Sequence, residues 1–474
     1  MGLKEAIIYL DNQLNTYYAG QTINGRIEYV FDSPKKVRGI HVKFKGEAHT
    51  EWRESKEQQT SDGKTENTDE VHTGNEEYFQ ISYYLLGSNT GNEIEVPAGK
   101  QVYSFTCALP PVLPSSFEGE FGYVRYTVKV TLDRPWKFDQ ETKMAFTVIN
   151  ALDLNLNPSY REPIRMQLEK TFCCFCCASP PLSVDIQAPV SGYCPGQVIP
   201  LSVDIENKSN VQLHLVKLFL RKVSVIYFML ILHLSVDIQA PVSGYCPGQV
   251  IPLSVDIENK SNVQLHLVKL FLRKVVTYRA TSPSTATKKC KEVVLTVQEG
   301  PAPAGSTKHW DMRLEIPPIP PSNLVNCSII DLDYDLKVEC VVSGLHTNLK
   351  DRKYVTIGTV PLMGGPPPSA PPAPVPSSPS QPAVLPLGPG EIAQPNGPPG
   401  GDATGGWVMP GSGPAAPHQS LYPTLSKPVY KESTYTARTI QDRGDNNHTR
   451  IAGPANFAPF YPTYAAVLPP PLPQ

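Results

Sequence analysis

Four cysteines within five positions, Cys173, Cys174, Cys176 and Cys177, form the densest grouping of chemically capable side chains in the chain. Zinc wants thiolates in separated pairs so that four sulfurs converge on one ion, and adjacent cysteines cannot all face it. Two readings remain for these cysteines: S-acylation that holds the protein at a membrane, or a reduced structural linker. The structural reading is favoured, because no polybasic or amphipathic stretch adjoins the cluster to support an anchor. Other catalytic patterns are missing. Ten histidines are scattered, none in an HExxH arrangement, and no GxSxG elbow occurs. Gly99-Lys100 has the look of a P-loop, but Ile94 and Gln101 stand where Gly and Ser or Thr are required. No GxGxxG opens a helix. The chain is expected to be no enzyme and to need no metal or cofactor.

The elements that would have to position such residues are strands. Ile23, Ile27, Tyr29 and Phe31 share one face of an extended segment, with Asn24, Arg26 and Glu28 on the other. Ile40, Val42 and Phe44 alternate with His41, Lys43 and Lys45, and Tyr126, Val128, Val130 and Leu132 alternate with Thr127, Lys129 and Thr131. The longest case runs from Ile330 through Leu332, Tyr334, Leu336 and Val338 to Cys340, against Asp331, Asp333, Asp335, Lys337 and Glu339. Period two with one charged face means antiparallel sheet, packed on one side and wet on the other. No amphipathic helix of three turns is legible. The fold class read from this pattern is all-β, as two β-sandwiches. Polar residues 51–77 are expected to form an exposed loop or hairpin extension, too hydrophilic to bury.

Length and composition bound the rest. The 474 residues allow two or three domains, and most of the excess among 50 prolines lies after residue 362. A formal charge of −2 provides no basic excess to release phosphate counterions, so nucleic acid is not an expected partner. The opening Met1-Gly2-Leu3-Lys4-Glu5-Ala6 lacks an apolar signal core, and Ala6 stands where a myristoylation motif wants Ser or Thr. The most apolar run, 223–232, is half the length needed to cross a bilayer. A soluble chain with reduced thiols is expected.

Residues 182–223 and 234–275 are identical at all 42 positions. Natural tandem repeats keep a pattern and diverge elsewhere. Identity even at Gln187/Gln239 and Lys208/Lys260 points to a very recent duplication or a faulty gene model. The spacer 224–233, without acidic or Lys/Arg residues, favours the second, as a translated intron fragment between two copies of one exon. Val223-Ser224 can be encoded as GTAAGT, which matches a splice donor. One sandwich has one slot for these strands, so the surplus copy is expected to pair at an edge, swap, or hang loose.

The segment 116–136, SFEGEFGYVRYTVKVTLDRPW, closely resembles the arrestin-domain-containing proteins, the α-arrestins. Three further stretches agree: 169–177 (EKTFCCFCC), 316–322 (IPPIPPS) with 326–330 (NCSII), and 357–362 (IGTVPL). The resemblance implies two immunoglobulin-like arrestin sandwiches, at 1–151 and 182–362, joined by a linker at 152–181. It also implies a non-enzymatic adaptor that binds transmembrane receptor or transporter cargo through its body and recruits WW-domain HECT-type ubiquitin ligases through PPxY motifs in its tail. Such a protein is expected in the cytoplasm, recruited peripherally to plasma membrane and endosomes.

Residues 363–474 are expected to be a disordered Pro/Gly/Ser-rich tail with polyproline II character, since they offer little apolar surface to offset chain entropy. Aromatics gather late in it, at Tyr422, Tyr430, Tyr435, Phe457, Phe460, Tyr461 and Tyr464. A WW groove takes a proline helix plus one anchoring ring. The nearest matches are Lys427-Pro428-Val429-Tyr430 and Tyr461-Pro462-Thr463-Tyr464, each missing the first proline of PPxY. Pro470-Pro471-Leu472-Pro473 resembles the ligand of another WW class and also suits SH3 proteins. A scaffold that works through SH3 or WW partners without recruiting a ligase is the alternative.

Overall fold

The computed structural model describes residues 3–59, 65–162, 265–363 and 421–464, the last two with short gaps, and the backbone of strand segments between 164 and 259. The alternating segments become strands whose apolar face is sealed. Ile23, Ile27, Ile40, Val42, Phe44, Val128, Val130, Leu132, Leu332, Tyr334, Leu336 and Val338 are all fully buried.

In the N-terminal domain, β1 (Leu3–Leu10), β3 (Thr22–Phe31) and β8 (Gly99–Ala108) form one sheet. Facing it is a sheet ordered β2 (Thr16–Tyr18), β11 (Gln140–Ile149), β10 (Gly122–Asp133), β5 (Gly39–Gln59) and β6 (Thr65–Gly87), with β9 (Phe117–Gly119) added on β10. The short strands β4 (Lys35–Val37) and β7 (Ile94–Val96) pair at one end. The hydrophilic stretch 51–77 is the far half of the β5–β6 hairpin, and it is not wholly exposed. Trp52 and His72 are buried and stacked at 5.4 Å. Beyond them Thr73 bridges to Ser282 of the second domain. A polar sequence hides this because polar groups carry the contact: the Thr73 backbone meets Ser282, and the Glu76 carboxylate accepts from Ser328 N at 2.9 Å.

Two short 3-10 turns, Leu154–Leu156 and Pro158–Arg161, follow. The linker is clamped to the end of the second domain: Leu154 N donates to Val360 O, and Asn155 Nδ2 to Pro361 O at 2.7 Å. Next come β12 (Ile164–Lys170) and a tiny hairpin of β13 (Cys173–Cys174) and β14 (Cys177–Ala178).

Both copies of the repeat supply strands. The first gives β15 (Leu182–Ala188), β16 (Gly192–Tyr193), β17 (Ser202–Asn207) and β18 (Leu215–Leu220). The second gives β19 (Ser235–Gln239), β20 (Gly244–Tyr245), β21 (Val250–Asn259) and the first part of β22 (Leu265–Ala280). With β23 (Ala286–Glu299), β24 (Ser306–Glu315), β25 (Ile330–Val342) and β26 (Leu349–Ile357) they make two sheets, ordered β12-β15-β17-β19-β21-β24 and β16-β26-β25-β18-β22-β23. The surplus copy is therefore neither an edge addition nor loose. It widens both sheets from inside, because copies with the same alternation can pair with one another. Leu215, Val216 and Lys217 lie in parallel register with their own duplicates Leu267, Val268 and Lys269.

A continuous apolar cluster runs through both domains. Phe121 packs edge-on against Tyr278 at 5.7 Å, and Thr50 Oγ1 donates to Arg279 O at 2.8 Å. A Cβ on Gly119 would lie 2.2 Å from the Tyr278 hydroxyl, so this glycine of the 116–136 segment permits the close approach of the domains. Among the described residues, no helix is long and apolar enough to cross a membrane.

Candidate partner-binding site

The end of the chain returns to the body. Short strands β27 (Val429–Glu432) and β31 (Phe460–Thr463) pair as an antiparallel ladder, as do β28 (Arg438–Thr439) and β30 (Asn456–Phe457). β29 (Thr449–Ile451) runs parallel to β11. The outer edge of β11 has room for it, because β2 covers only Thr147 to Ile149 and leaves Glu141 to Lys143 open. Ala452 N donates to Lys143 O at 2.8 Å, so the tail supplies the ladder partner that an edge strand otherwise lacks. The expectation of a disordered tail does not extend to residues 421–464. The gathered aromatics provide the burial that a Pro/Gly segment alone cannot.

This brings the two sequence-predicted PxY segments together. Tyr430 stands opposite Pro462 and Val429 opposite Thr463 in the same ladder. The anchoring rings are turned inward. Tyr430 is 6% exposed and Tyr464 fully buried, while Pro462 is buried and Pro428 half-buried. In a seat with an apolar floor of Tyr18 and Ile149, Tyr430 places its hydroxyl 2.9 Å from that of Tyr18. Burial raises the pKa of both phenols, and their mutual contact raises that of Tyr18 further. Tyr461 donates to Ser116 O at 2.9 Å, and Tyr464 donates to Thr359 O at 3.0 Å. Tyr422 donates to Asp153 Oδ2 at 2.8 Å. The tail therefore touches the first domain, the linker and the end of the second domain at once.

One ion pair pins it. Lys143 Nζ lies 2.9 Å from Asp445 Oδ2, with both side chains almost wholly buried, and Lys129 approaches the same carboxylate. Nearby, Glu118 and Arg125 of the 116–136 segment make a buried bidentate pair with two bonds of 2.8 Å. Burial pushes the Glu118 carboxyl up to about 7, opposed by Arg125 and by the tail's Arg438. Arg438 also donates to Glu120 O. Tyr18, Lys143 and Asp445 were not singled out by pattern, since each reads as an ordinary polar or strand position. The late aromatics are the visible signal in this segment, and the sequence offers them as recognition motifs in a disordered tail rather than as groups packed on the body.

Pro470, Pro471, Leu472, Pro473 and Cys176 lie outside the described residues. Cys174 stands opposite Cys177 in the backbone ladder, and Cys173 opposite Ala178. Among the described residues, no cluster of three His, Cys, Asp or Glu side chains is placed to hold a metal ion.

The comparisons with known proteins agree with the two-sandwich body. Residues 6–155 match the arrestin (or S-antigen) N-terminal domain, and residues 178–228 and 233–362 match the arrestin (or S-antigen) C-terminal domain. Arrestin domain-containing protein 17 of Caenorhabditis elegans is 26% identical over 96% of this chain and 98% of its own length. Human arrestin domain-containing protein 4 is 27% identical over 76% of this chain and 72% of its own. Human thioredoxin-interacting protein is 29% identical over 43% of this chain and 50% of its own.

Proposed function

Because this chain belongs to the arrestin family of two-domain proteins, we propose that it is a non-enzymatic adaptor linking membrane-protein cargo to ubiquitin-ligase and endocytic sorting machinery. The observation that carries the reading is the seat of the tail. Tyr430, Tyr461 and Tyr464 are held by groups of both domains, so a partner that shifts the domain seam also changes access to the tail. Cargo engagement by the body and ligase engagement by Pro428/Tyr430 or Pro462/Tyr464 are then coupled events. A WW groove needs the tyrosine ring exposed, so the seated tail is the non-recruiting form.

The test is WW-domain binding to the full chain. Asp445→Ala, which unpins the tail, is expected to raise capture by WW domains of HECT-type ligases, and adding Tyr430→Ala and Tyr464→Ala is expected to abolish it. Equal capture by all three forms overturns the ligase branch. The missing first prolines and the buried rings favour the second reading, a trafficking or signalling scaffold working through SH3 or WW partners without ligase recruitment. Proximity labelling in cells separates the two by whether a ligase is tagged with the cargo.

A further inference from the structure

The turn between β10 and β11 presents two large rings to water. Trp136 is 98% exposed and Phe138 76% exposed. A lone exposed apolar side chain is ordinary, but adjacent exposed aromatics at the tip of a turn mark an interaction surface. The turn is built to hold them there. Trp136 has φ of 59°, a left-handed conformation that costs a bulky residue strain. The bonds around it fix that conformation: Arg134 N donates to Asp139 Oδ1 at 3.1 Å, and Arg134 Nε to Phe138 O at 3.0 Å. The His448 ring of the returning tail lies 5.5 Å from that of Phe138.

Beside the rings opens a cleft of about 850 Å³ whose lining includes Lys35, Lys36, Arg134, Lys137 and Arg450 against one carboxylate, Glu93. The neighbouring acids are already engaged. Glu93 faces Lys36 at 3.5 Å, Asp133 pairs with Arg38 at 2.7 Å, and Asp139 takes the Arg134 amide. Lys35 is shared with Ser33 and Asp32. Lys137 and Arg450 have no ion-pair partner among the described residues. Anionic charge is what this cleft lacks.

We propose that this turn and its basic cleft are a membrane-docking site, with Trp136 and Phe138 entering the interface of a bilayer and the cleft taking anionic lipid headgroups. Tryptophan prefers the headgroup level of a bilayer, where its apolar body and N–H are both satisfied. Basic side chains near an anionic surface add to the attraction. A soluble phosphorylated peptide would match the cleft alone and leave two exposed rings, one of them on a strained backbone, without a role. This deepens the adaptor reading, since cargo lies in membranes, but it rests on the turn and cleft and needs neither cargo nor ligase.

The purified full chain is mixed with vesicles of phosphatidylcholine alone or in equal mixture with phosphatidylserine, and bound protein is measured by sedimentation. Binding to the anionic vesicles only is expected, weakening as salt is raised. Trp136→Ala with Phe138→Ala is expected to reduce it at least tenfold. Lys137→Ala with Arg450→Ala is expected to weaken it by about fivefold per charge removed. These side chains are exposed, so unchanged melting temperatures should accompany the losses. Vesicles carrying brominated acyl chains should quench fluorescence in the wild type and not in Trp136→Phe. Failure to bind anionic vesicles, or binding unaffected by both double variants, overturns the proposal. So does a phosphorylated peptide bound at the cleft by a chain that ignores vesicles. None of these outcomes depends on WW-domain capture.

Discussion

The hydroxyls of Tyr18 and Tyr430 lie 2.9 Å apart in a buried pocket, joining the second strand of the chain to its tail. Removing one hydroxyl deprives the other of this buried bond, whereas removing both takes away donor and acceptor together. Tyr18→Phe or Tyr430→Phe alone is expected to weaken tail docking by about 1 kcal/mol. The double variant should be less impaired than the sum. A double-mutant cycle read by hydrogen exchange across residues 429–463 tests this, and strictly additive effects would mean that the pair is not coupled.

Asp445 ties the tail to the body through a buried ion pair with Lys143. Without it the buried Lys143 ammonium loses its tail carboxylate, and loss of one partner of a buried ion pair is destabilising in a closed site. Detachment of the tail relieves that cost by exposing Lys143 to water. Asp445→Ala is therefore expected to release the tail and leave the sandwiches folded. Limited proteolysis should cut near residues 421–464 much faster while the melting temperature changes little; equal protection in the variant would refute the assignment.

The body was legible in the sequence and the tail's seat was not, for one physical reason. Alternation reports which face of a strand is dry, so Ile40 to Phe44 and Ile330 to Cys340 declare themselves. It does not report a charge that is buried because another charge meets it. Asp335 sits on the polar side of its strand by pattern, yet it is fully buried against Arg273 at 3.2 Å. Lys143 and Asp445, 302 positions apart, are the same case across the whole chain. The motif at 427–430 was visible, but whether its ring faces water depends on Tyr18 and Ile149, which no local pattern near residue 430 encodes.

The repeat carries a cost readable from register. Asp185 stands opposite Asp204, Asp204 opposite Asp237, and Asp237 opposite Asp256, a row of four acidic positions across neighbouring strands. Like charges at directly opposite positions destabilise a sheet. Lys217 opposite Lys269 adds another such pair. Deleting either 52-residue unit yields the same shortened chain, in which two of the three acidic pairs and the lysine pair are gone. A higher melting temperature is expected for that chain, and a lower one would show that the second copy has become part of the fold.

Lys337 gives a pH signature inside the second domain. Burial lowers its pKa to about 8, with Glu339 pulling the other way and Arg273 and Lys350 adding to the fall. Between pH 8 and about 10.5 the unfolded chain still holds a proton that the folded chain has shed. The contribution of this group to stability therefore rises with pH through that window, and below it the fold carries the charge at a cost. Lys337→Met is expected to stabilise the protein most near neutral pH, with the advantage shrinking toward pH 10.5. Glu339 keeps Lys350 at 3.6 Å and Asn348 at 2.9 Å, so it is not stranded by the change. Comparing urea midpoints of the two proteins across that pH range is the check, and a difference independent of pH would reject Lys337 as the titrating group.

The two domains close their sandwiches with the same device. Tyr126 donates to Pro114 O at 2.7 Å, and Tyr334 donates to Pro320 O at 2.8 Å. Two residues after each proline a serine hydroxyl accepts a strand amide, Ser116 from Val148 N and Ser322 from Ile357 N. A buried tyrosine tied to a carbonyl upstream pins the corner where one sheet passes to the other. In the first domain this corner also bears the tail, since Ser116 O receives the Tyr461 hydroxyl. Tyr126→Phe and Tyr334→Phe are each expected to cost about 1–3 kcal/mol, the penalty for leaving a buried carbonyl unpaired. Only the change in the first domain should loosen the stretch around Tyr461, because only that corner supplies its acceptor, Ser116 O, whereas Tyr464 is held by Thr359 of the second domain. Thermal unfolding combined with hydrogen exchange distinguishes the two, and equal loosening of the tail in both variants would mean that the corner and the tail seat are not mechanically joined.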